Sequence, residues 1–372
     1  SNMFRNFGTN DWKNFPTLGD FQPVSSTAKA LYSGLFCHVA LPGSASFLWG
    51  SVRNAIGSRG GFCGFWPGLC VTLKHTSRFA SFCLLAKGDY PAELNITLPF
   101  TLVSNDTAEG CLVLVPAYWW THNMYALKRN ENKFTRRDKR RRKTQHVEFD
   151  ALAPDTAEET IAGLDLLAQW TANAARKANG QTDAVSPATL LATGHAMLQA
   201  EPERTKELHV LAPKVENSKR EVLVHGPRRA YHAYRDMLHH YAMTNLIAYL
   251  HDHPQATFDS MQSDLGNAHG GNGDAPPRQT AWVNVGGQLI QRPDLDQLRY
   301  NIRTGAITTW QQVHDDYDRL WQAYPRHKRR HALATLCYLL GEDTLSAEQW
   351  SEALDKEAAT QEHIRDAVVA TR

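Results

Sequence analysis

The chain has 372 residues, of which 42% are hydrophobic and 21% are charged, and its formal net charge is +2. This composition is typical of a globular protein, and the length suffices for two or three domains of about 100–200 residues each. No apolar run reaches the ~18 residues that span a bilayer, and no signal-peptide pattern follows Ser1-Asn2-Met3, which resembles a protease-cleavage remnant. The sequence therefore predicts a cytoplasmic protein that has no membrane partner.

The small net charge hides a strongly basic segment, residues 128–143, which we name the basic band. It contains ten lysines and arginines and only Glu131 and Asp138 as acids, so it carries +8 while the rest of the chain carries −6. An anionic partner is therefore expected at this band. The six cysteines form no C-x-x-C pair, and we interpret them as reduced packing residues, since free cysteine behaves as a small hydrophobe.

Residues 24–127 are predicted to be rich in β-strands, after an irregular arm at 1–23. Stretches such as "SGLFCHVALPGSASFLWGS" and "SRFASFCLLAKG" are short, apolar and broken by Gly and Ser, without the 3.6-residue period of a helix. A six-residue rhythm of small and apolar positions indicates a β-solenoid, in which successive coils bury one another's faces.

The pattern changes to helix near Asp150. Thr156 and Glu159 predict a capping box, and Ser186 followed by Pro187 predicts a second helix start. A long helix is then predicted from 228 to 251. The predicted division is an irregular arm at 1–23, a solenoid-like domain at 24–127, a basic hinge at 128–149, a helical domain at 150–266, a Gly/Pro loop at 267–280 and a C-terminal helical region at 281–372.

The C-terminal region opens with the segment "AWVNVGGQLI", which predicts a short strand–turn element. Ser346 and Gln349 predict a capping box for the last helix. Helices are predicted at 294–303, 308–323, 326–341 and 346–369.

Several segments together resemble a known type of protein. They are "SRFASFCLLAKGDYPAELNITLPFTLV", "VPAYWWTHNMYALKRN", "RRDKR", "LAPDT" and "WVNVGGQLIQRPDLDQLRYNIRTGAITTWQQVHDDYDRLWQAYP". In this order they resemble an uncharacterised bacterial family of left-handed β-helix proteins, distantly akin to hexapeptide-repeat sugar-nucleotide and acyl transferases. The resemblance implies an α+β fold, in which a short left-handed β-helix-like domain precedes a mainly α-helical domain. It implies no particular reaction.

Two polar turns in the front part carry candidate site residues. In "KHTSR", His75 is a candidate general base, because imidazole titrates near neutrality, and Lys74 and Arg78 are candidate holders of a phosphate. In "AKGDYPAELN", Lys87 lies beside Asp89 and is a candidate for binding a sugar or a phosphate. The alternative is that both segments are ordinary surface turns.

Aromatic and basic residues follow at the end of the front part. Trp119 and Trp120 belong to a dense aromatic stretch at 118–125, which can stack on a base or sugar ring or can pack the strands against the helices. The basic band can hold phosphate oxygens or can form a solvated hinge. Its candidate ligand-binding or domain-clamping residues are Arg136, Arg137, Asp138 and Arg140.

No metal site is predicted, and the sequence leaves the cofactor unknown. His232, Asp236 and His240 are spaced to share one helix face, as metal ligands can be, but the neighbouring tyrosines and arginines favour an interface. No Walker loop, G-x-S-x-G, H-E-x-x-H or G-x-G-x-x-G signature occurs in the sequence, which excludes the best-defined enzyme classes.

The leading hypothesis is a protein that binds a phosphorylated sugar or nucleotide-sugar-like ligand. By resemblance to the hexapeptide-repeat transferases, it would transfer a group to that ligand with His75 as the base. The first alternative is a non-catalytic assembly protein, which forms homo-oligomers through the solenoid and the helices. The second alternative, favoured least, is nucleic-acid binding through the basic hinge.

Overall fold

The computed structural model describes residues 65–67, 71–74, 77–137, 146–266 and 277–372. The predicted arm at 1–23 and most of the predicted Gly/Pro loop lie outside these residues. The domain boundaries stay predictions.

The described strands are short and belong to several small sheets. One mixed sheet has the strand order β1-β4-β7-β8-β9, and the other three sheets are the pairs β2-β5, β3-β6 and β10-β11. In the mixed sheet β7 and β8 are antiparallel and the other neighbours are parallel. The strands are β1 (Phe65–Pro67), β2 (Val71–Leu73), β3 (Arg78–Phe79), β4 (Cys83–Leu85), β5 (Gly88–Tyr90), β6 (Asn95–Ile96), β7 (Leu102–Asp106), β8 (Cys111–Val115), β9 (Val222–Val224), β10 (Trp282–Val285) and β11 (Gln288–Gln291).

The predicted left-handed β-helix is wrong, and the resemblance to hexapeptide-repeat proteins loses its basis with it. Parallel pairs do occur, with Phe65 opposite Cys83 and Val71 opposite Gly88. However, the described strands form small mixed sheets and no solenoid, and β8 reverses direction after the parallel neighbours β1, β4 and β7. A solenoid is stabilised by equivalent coils that bury one another, whereas these strands pack against helices.

The helices make up most of the rest of the described chain. The long helix α6 lies among them and contacts α1, α3, α9 and α10. The helices are α1 (Tyr118–His122), α2 (Met124–Arg137), α3 (Pro154–Ala178), α4 (Pro187–Ala200), α5 (Pro202–Lys206), α6 (Pro227–Asp252), α7 (Phe258–Gly266), α8 (Arg292–Arg303), α9 (Trp310–Leu340) and α10 (Ala347–Ala370).

Two of the three predicted helix starts are confirmed. The Ser186 and Ser346 hydroxyls each accept a backbone N–H three residues on, at 3.1 Å, which satisfies a donor that the first turn leaves free. The third start differs, because α3 begins at Pro154 and Thr156 accepts the N–H of Ala153 at 3.0 Å. Glu159, predicted to complete that box, instead accepts the N–H of Ser81 at 2.8 Å and joins α3 to the strands.

The C-terminal region contains one helix where two were predicted. α9 continues through Pro325, although an interior proline costs about 3 kcal/mol or more. Pro325 itself is exposed, while Tyr324 and Lys328 beside it are buried, so tertiary packing holds the helix together across the proline. The predicted strand–turn element is confirmed as the antiparallel pair of β10 and β11.

The strands and helices share one hydrophobic core, which includes Val71 and Phe100 from the front part and Tyr234 and Ile364 from the helices. Tyr234 links the two parts directly, because its hydroxyl donates to the carbonyl of Pro99 at 2.5 Å. In the part of the chain that the structure describes, every helix is too short or too polar to cross a bilayer.

Candidate anion-binding site

A cavity of about 540 Å³ opens between α5, β9 and the first turn of α6. We name it the α6 cavity. Its volume lies within the range of about 300–1,000 Å³ that is usual for small-molecule sites. The residues that line it are Pro202, Thr205, Lys206, Leu208, His209, Leu223, Val224, His225, Gly226, Pro227, Arg228 and Arg229.

Local backbone structure brings these residues together. Strand β9 has a neighbour on each side. It pairs with β8, where Leu223 lies opposite Val113, and it is joined to residues 210–212 by hydrogen bonds of 2.8 and 2.9 Å. Gly226 then turns the chain in the left-handed conformation, at φ 63°, which glycine adopts without steric cost. Pro227 starts α6 at the first helical position, where its missing N–H costs nothing.

The lining is strongly basic. Among the described residues it contains no aspartate or glutamate, and the five basic side chains belong to Lys206, His209, His225, Arg228 and Arg229. Carboxylates near the rim are already paired, since Glu203 accepts from Lys206 at 2.9 Å and Glu221 lies 3.2 Å from His209. Among the residues that the structure describes, no salt bridge is formed by Arg228 or Arg229.

Arg228 is held in place by a chain of hydrogen bonds. Its Nη2 donates to the carbonyl of Gln199 at 3.1 Å, and Gln199 Nε2 donates to the hydroxyl of Tyr231 at 3.1 Å. That hydroxyl lies 2.9 Å from His195 Nδ1, and His195 Nε2 lies 3.1 Å from Asp165. Arg228 Nε is buried and has no hydrogen-bond partner among the described residues, so the guanidinium keeps an unused donor.

The start of α6 adds to the positive potential. No side chain caps this helix of 26 residues, so its first N–H groups stay available to a ligand. The aligned peptide dipoles place a partial positive charge at the same end. A phosphate or carboxylate in the α6 cavity would therefore meet arginine side chains and backbone donors together.

The field of these cations reaches α1. The pKa of His122 lies below its usual value, first because the ring is partly buried and second because Arg229 and His225 repel its charged form. Tyr118 lies beside it, with ring centroids 5.5 Å apart. His122 is therefore neutral at pH 7 and lies within the field of the cavity cations.

The predicted residues of the front turns do not converge on the α6 cavity. His75, the predicted base, lies outside the described residues. Lys74 follows β2 and Lys87 lies between β4 and β5, and both are exposed. Arg78 on β3 is exposed and lines a second cavity of about 570 Å³, together with Lys214.

The second cavity is electrostatically balanced. Besides Arg78 and Lys214 it is lined by Glu93 and Glu216. Glu216 is buried and paired with Arg220, whose hydrogen bonds hold the pKa of this carboxyl below its usual value although burial alone would raise it. Because acids and bases occur there in equal number, this cavity attracts an anion less strongly than the α6 cavity.

The predicted aromatic ligands are buried in the core. Trp119 is 2% exposed and its Nε1 donates to the carbonyl of Phe82 at 2.6 Å. Trp120 is 3% exposed and packs against the ring of His240, with centroids 5.6 Å apart. In this structure Trp119 joins α1 to the segment between β3 and β4, Trp120 joins α1 to α6, and neither lines one of the two cavities.

The basic band is described only at its start. Arg136 is exposed in the last turn of α2, and Arg137 ends that helix. Asp138 and Arg140 lie outside the described residues, so a role of this band stays a prediction.

A metal is not indicated by the described residues, which contain no group of three or more His, Cys, Asp or Glu side chains suited to hold one. On the helix face where His232, Asp236 and His240 have the spacing of metal ligands, two of the three side chains have other partners. His240 Nδ1 lies 2.8 Å from Glu357, and Asp236 accepts from Lys356 at 3.1 Å.

A second group of charges lies against α9, where Lys328 and Glu148 are buried and Asp150 is exposed. Lys328 donates to Glu148 at 2.9 Å and to Asp150 at 2.7 Å, and the hydroxyl of Tyr324 donates to Glu148 at 2.5 Å. This cluster satisfies its own charges, and its residues line neither of the two cavities described above. We therefore assign it to the stability of the fold, where it holds residues 148–150 against α9.

The sequence patterns do not reveal the α6 cavity. They favour an interface for Arg228 and Arg229, and they mark none of Lys206, His209 and His225 as a candidate. The segment "HGPRR" at 225–229 contained the signal, since Gly-Pro marks a helix start and the two arginines follow at once. The contributions of α5 and β9 depend on tertiary contacts that no local pattern shows.

Comparisons with known proteins add one relative. A protein of Treponema pallidum (strain Nichols), described as an uncharacterized protein, is 38% identical over 282 residues, which are 74% of this chain and 36% of that protein. The chain thus spans about a third of the length of this relative. No protein-family model matches the chain, and neither does any solved structure.

Proposed function

We propose that the chain binds a phosphorylated small molecule whose phosphate group occupies the α6 cavity. The observation that carries the proposal is the convergence of five basic side chains on the uncapped start of α6, where the described lining residues include no carboxylate. Arginine binds phosphate oxygens through two parallel hydrogen bonds, and these charge-assisted bonds are stronger than neutral ones.

The proposed ligand is phosphorylated, as the sequence predicted, but its proposed site is the α6 cavity and not the front turns or the basic band. The sugar or nucleotide-sugar part of the ligand and a group transfer to it stay predictions. The cytoplasmic location belongs to the proposal as well. Assembly into homo-oligomers is the alternative, and it is supported by Trp310, Tyr300 and Ile302, which are 80%, 52% and 46% exposed near the junction of α8 and α9.

The test is isothermal titration of the chain with inorganic phosphate at low and high salt. We expect Arg228→Gln to weaken phosphate binding about 10-fold, because it removes one charge-assisted contact. Arg204→Gln is the matched control, since Arg204 lies on α5, pairs with Glu201 at 3.0 Å and does not line the cavity. Its binding should stay within about twofold of wild type.

Thermal midpoints of both variants check that each is folded. The proposal is refuted if wild type does not bind phosphate or if Arg204→Gln loses as much affinity as Arg228→Gln. In either case the assembly alternative becomes the leading hypothesis.

A further inference from the structure

The part of the α6 cavity that is not basic is apolar. Besides its cations, the lining consists of Pro202, Leu208, Leu223, Val224 and Pro227, with Gly226 and Thr205. A ligand that fills the cavity must therefore place some of its surface against aliphatic side chains. This contact is favourable for an apolar surface, because it removes that surface from water.

Hydrogen-bond acceptors for sugar hydroxyls are scarce in this wall. The one hydroxyl side chain among the lining residues, Thr205, is 3% exposed and donates to the carbonyls of Glu201 and Pro202. Within the part of the chain that the structure describes, no asparagine, glutamine or carboxylate lines the cavity. The backbone of β9 is committed on both sides, to β8 and to residues 210–212.

A polyol in this position would lose hydrogen bonds to water that the wall cannot replace. Transfer of a hydroxyl out of water without a new partner costs about 1–3 kcal/mol in proteins. Lysine and arginine compensate only in part, because they can donate to a sugar hydroxyl oxygen but cannot accept its proton, and His209 and His225 are the described lining side chains that can accept one. The wall therefore selects against a sugar ring and in favour of an apolar body.

We infer that the natural ligand of the α6 cavity is a phosphate ester of an apolar body, an aromatic ring or an aliphatic chain, rather than of a sugar. The phosphate lies among the cations and the apolar body lies against Leu208 and Leu223. This inference rests on the proposed function and narrows its ligand class. It involves binding alone and assigns no chemical step.

The test compares three probes by isothermal titration of the full chain: inorganic phosphate, glucose 1-phosphate and phenyl phosphate. We expect phenyl phosphate to bind about 10-fold more tightly than glucose 1-phosphate, because burying one face of a ring yields that gain. Inorganic phosphate, which does not reach the apolar wall, reports on the cations alone.

A variant of the wall separates the two parts of the ligand. Leu223→Asn should weaken phenyl phosphate about 10-fold and leave inorganic phosphate within about twofold. Leu354→Asn is the control, since Leu354 is 37% exposed on α10 and does not line the cavity. If Leu223→Asn does not fold, Leu208→Asn, on the loop after α5, replaces it.

The outcomes distinguish this inference from the proposed function. Tighter binding of phenyl phosphate that is lost in the wall variant supports the inference. Glucose 1-phosphate that binds as tightly as phenyl phosphate, or a wall variant that loses no affinity, overturns the inference and leaves the phosphate site intact. Failure of all three probes to bind refutes the proposed function together with the inference.

Discussion

The basic side chains of Lys328 and Arg228 lie in opposite electrostatic surroundings. Lys328 is 8% exposed and donates to two carboxylates of residues 148–150. Its burial alone would lower its pKa, but Glu148 and Asp150 raise it above the usual value. Arg228 has a carbonyl partner, no salt bridge within the described residues and a free Nε in a cavity wall.

This difference separates a structural cation from a candidate binding cation. A buried charge without a counter-charge is costly, so a fold supplies carboxylates wherever it buries a lysine for its own stability. A cation that remains partly hydrated, like Arg228, can lack such a partner and can exchange water for an external anion. Stability measurements should therefore respond to Lys328, and binding measurements to Arg228.

The largest expected effect is on stability at Lys328. Lys328→Met should lower the free energy of unfolding by about 3–5 kcal/mol, because it leaves the buried charge of Glu148 unpaired. Urea unfolding measures the change. Lys356→Met is the control, since the exposed pair of Lys356 and Asp236 contributes at most about 1 kcal/mol.

The phosphate affinity of the same variant tests whether Lys328 takes part in binding. Folded Lys328→Met protein should bind inorganic phosphate as wild type does, because Lys328 does not line the α6 cavity. A loss of stability below 1 kcal/mol, or a matching loss of phosphate affinity, would contradict the separation of the two cations.

A smaller effect is expected from a buried histidine on acidification. His239 is 4% exposed on α6, and its pKa is lowered from 6.5 to about 4. Burial is the largest cause, and repulsion from Lys356 and His240 adds to it, whereas Glu357 and Asp236 oppose the shift. The neutral ring is thus favoured in the folded state. Stability should be complete above pH 6.5 and should fall by about 3 kcal/mol as the pH drops toward 4.

The variant His239→Phe tests this assignment. It removes the titrating group, so part of the acid-induced loss in urea unfolding between pH 6.5 and 4 should disappear. His251→Phe is the control, because the side chain of His251 is 87% exposed and its removal should leave the acid profile unchanged. An identical acid profile for His239→Phe and wild type would show that other groups account for the loss.

Local features of the fold were predictable from the sequence, and tertiary ones were not. The N-cap at Ser186 and the capping box at Ser346 act within one turn, so their pattern is complete in a few residues. The continuation of α9 through Pro325 depends on the packing of Tyr324 and Lys328, which no local rule contains. The predicted β-helix was wrong because short apolar stretches with glycines are compatible with small sheets covered by helices as well.

The candidate site follows the same rule. The predicted ligands Trp119 and Trp120 were recognised by residue type, but their burial places them in the core. The sequence shows Arg228 and Arg229 as a basic helix start, but the cavity that they line is formed together with α5 and β9. A cavity assembled from separate segments is a property of tertiary structure, so composition and spacing did not reveal it.

The smallest expected effect concerns a carboxylate at the rim of the cavity. Glu221 lies 3.2 Å from His209, and its side chain is 58% exposed. Glu221→Gln removes a negative charge near the bound phosphate, so phosphate affinity should rise about twofold at low salt. The gain should shrink at high salt, because exposed charges are screened.

Titration of phosphate into Glu221→Gln at low and high salt measures this change. Glu352→Gln on α10 is the control, since it makes the same change of net charge outside the cavity lining. Equal affinities for the two variants would show that net charge, and not the local field of the α6 cavity, governs binding. A gain confined to Glu221→Gln and lost at high salt would locate the phosphate near His209. It would thus extend the contrast with Lys328 from one arginine to the cavity as a whole.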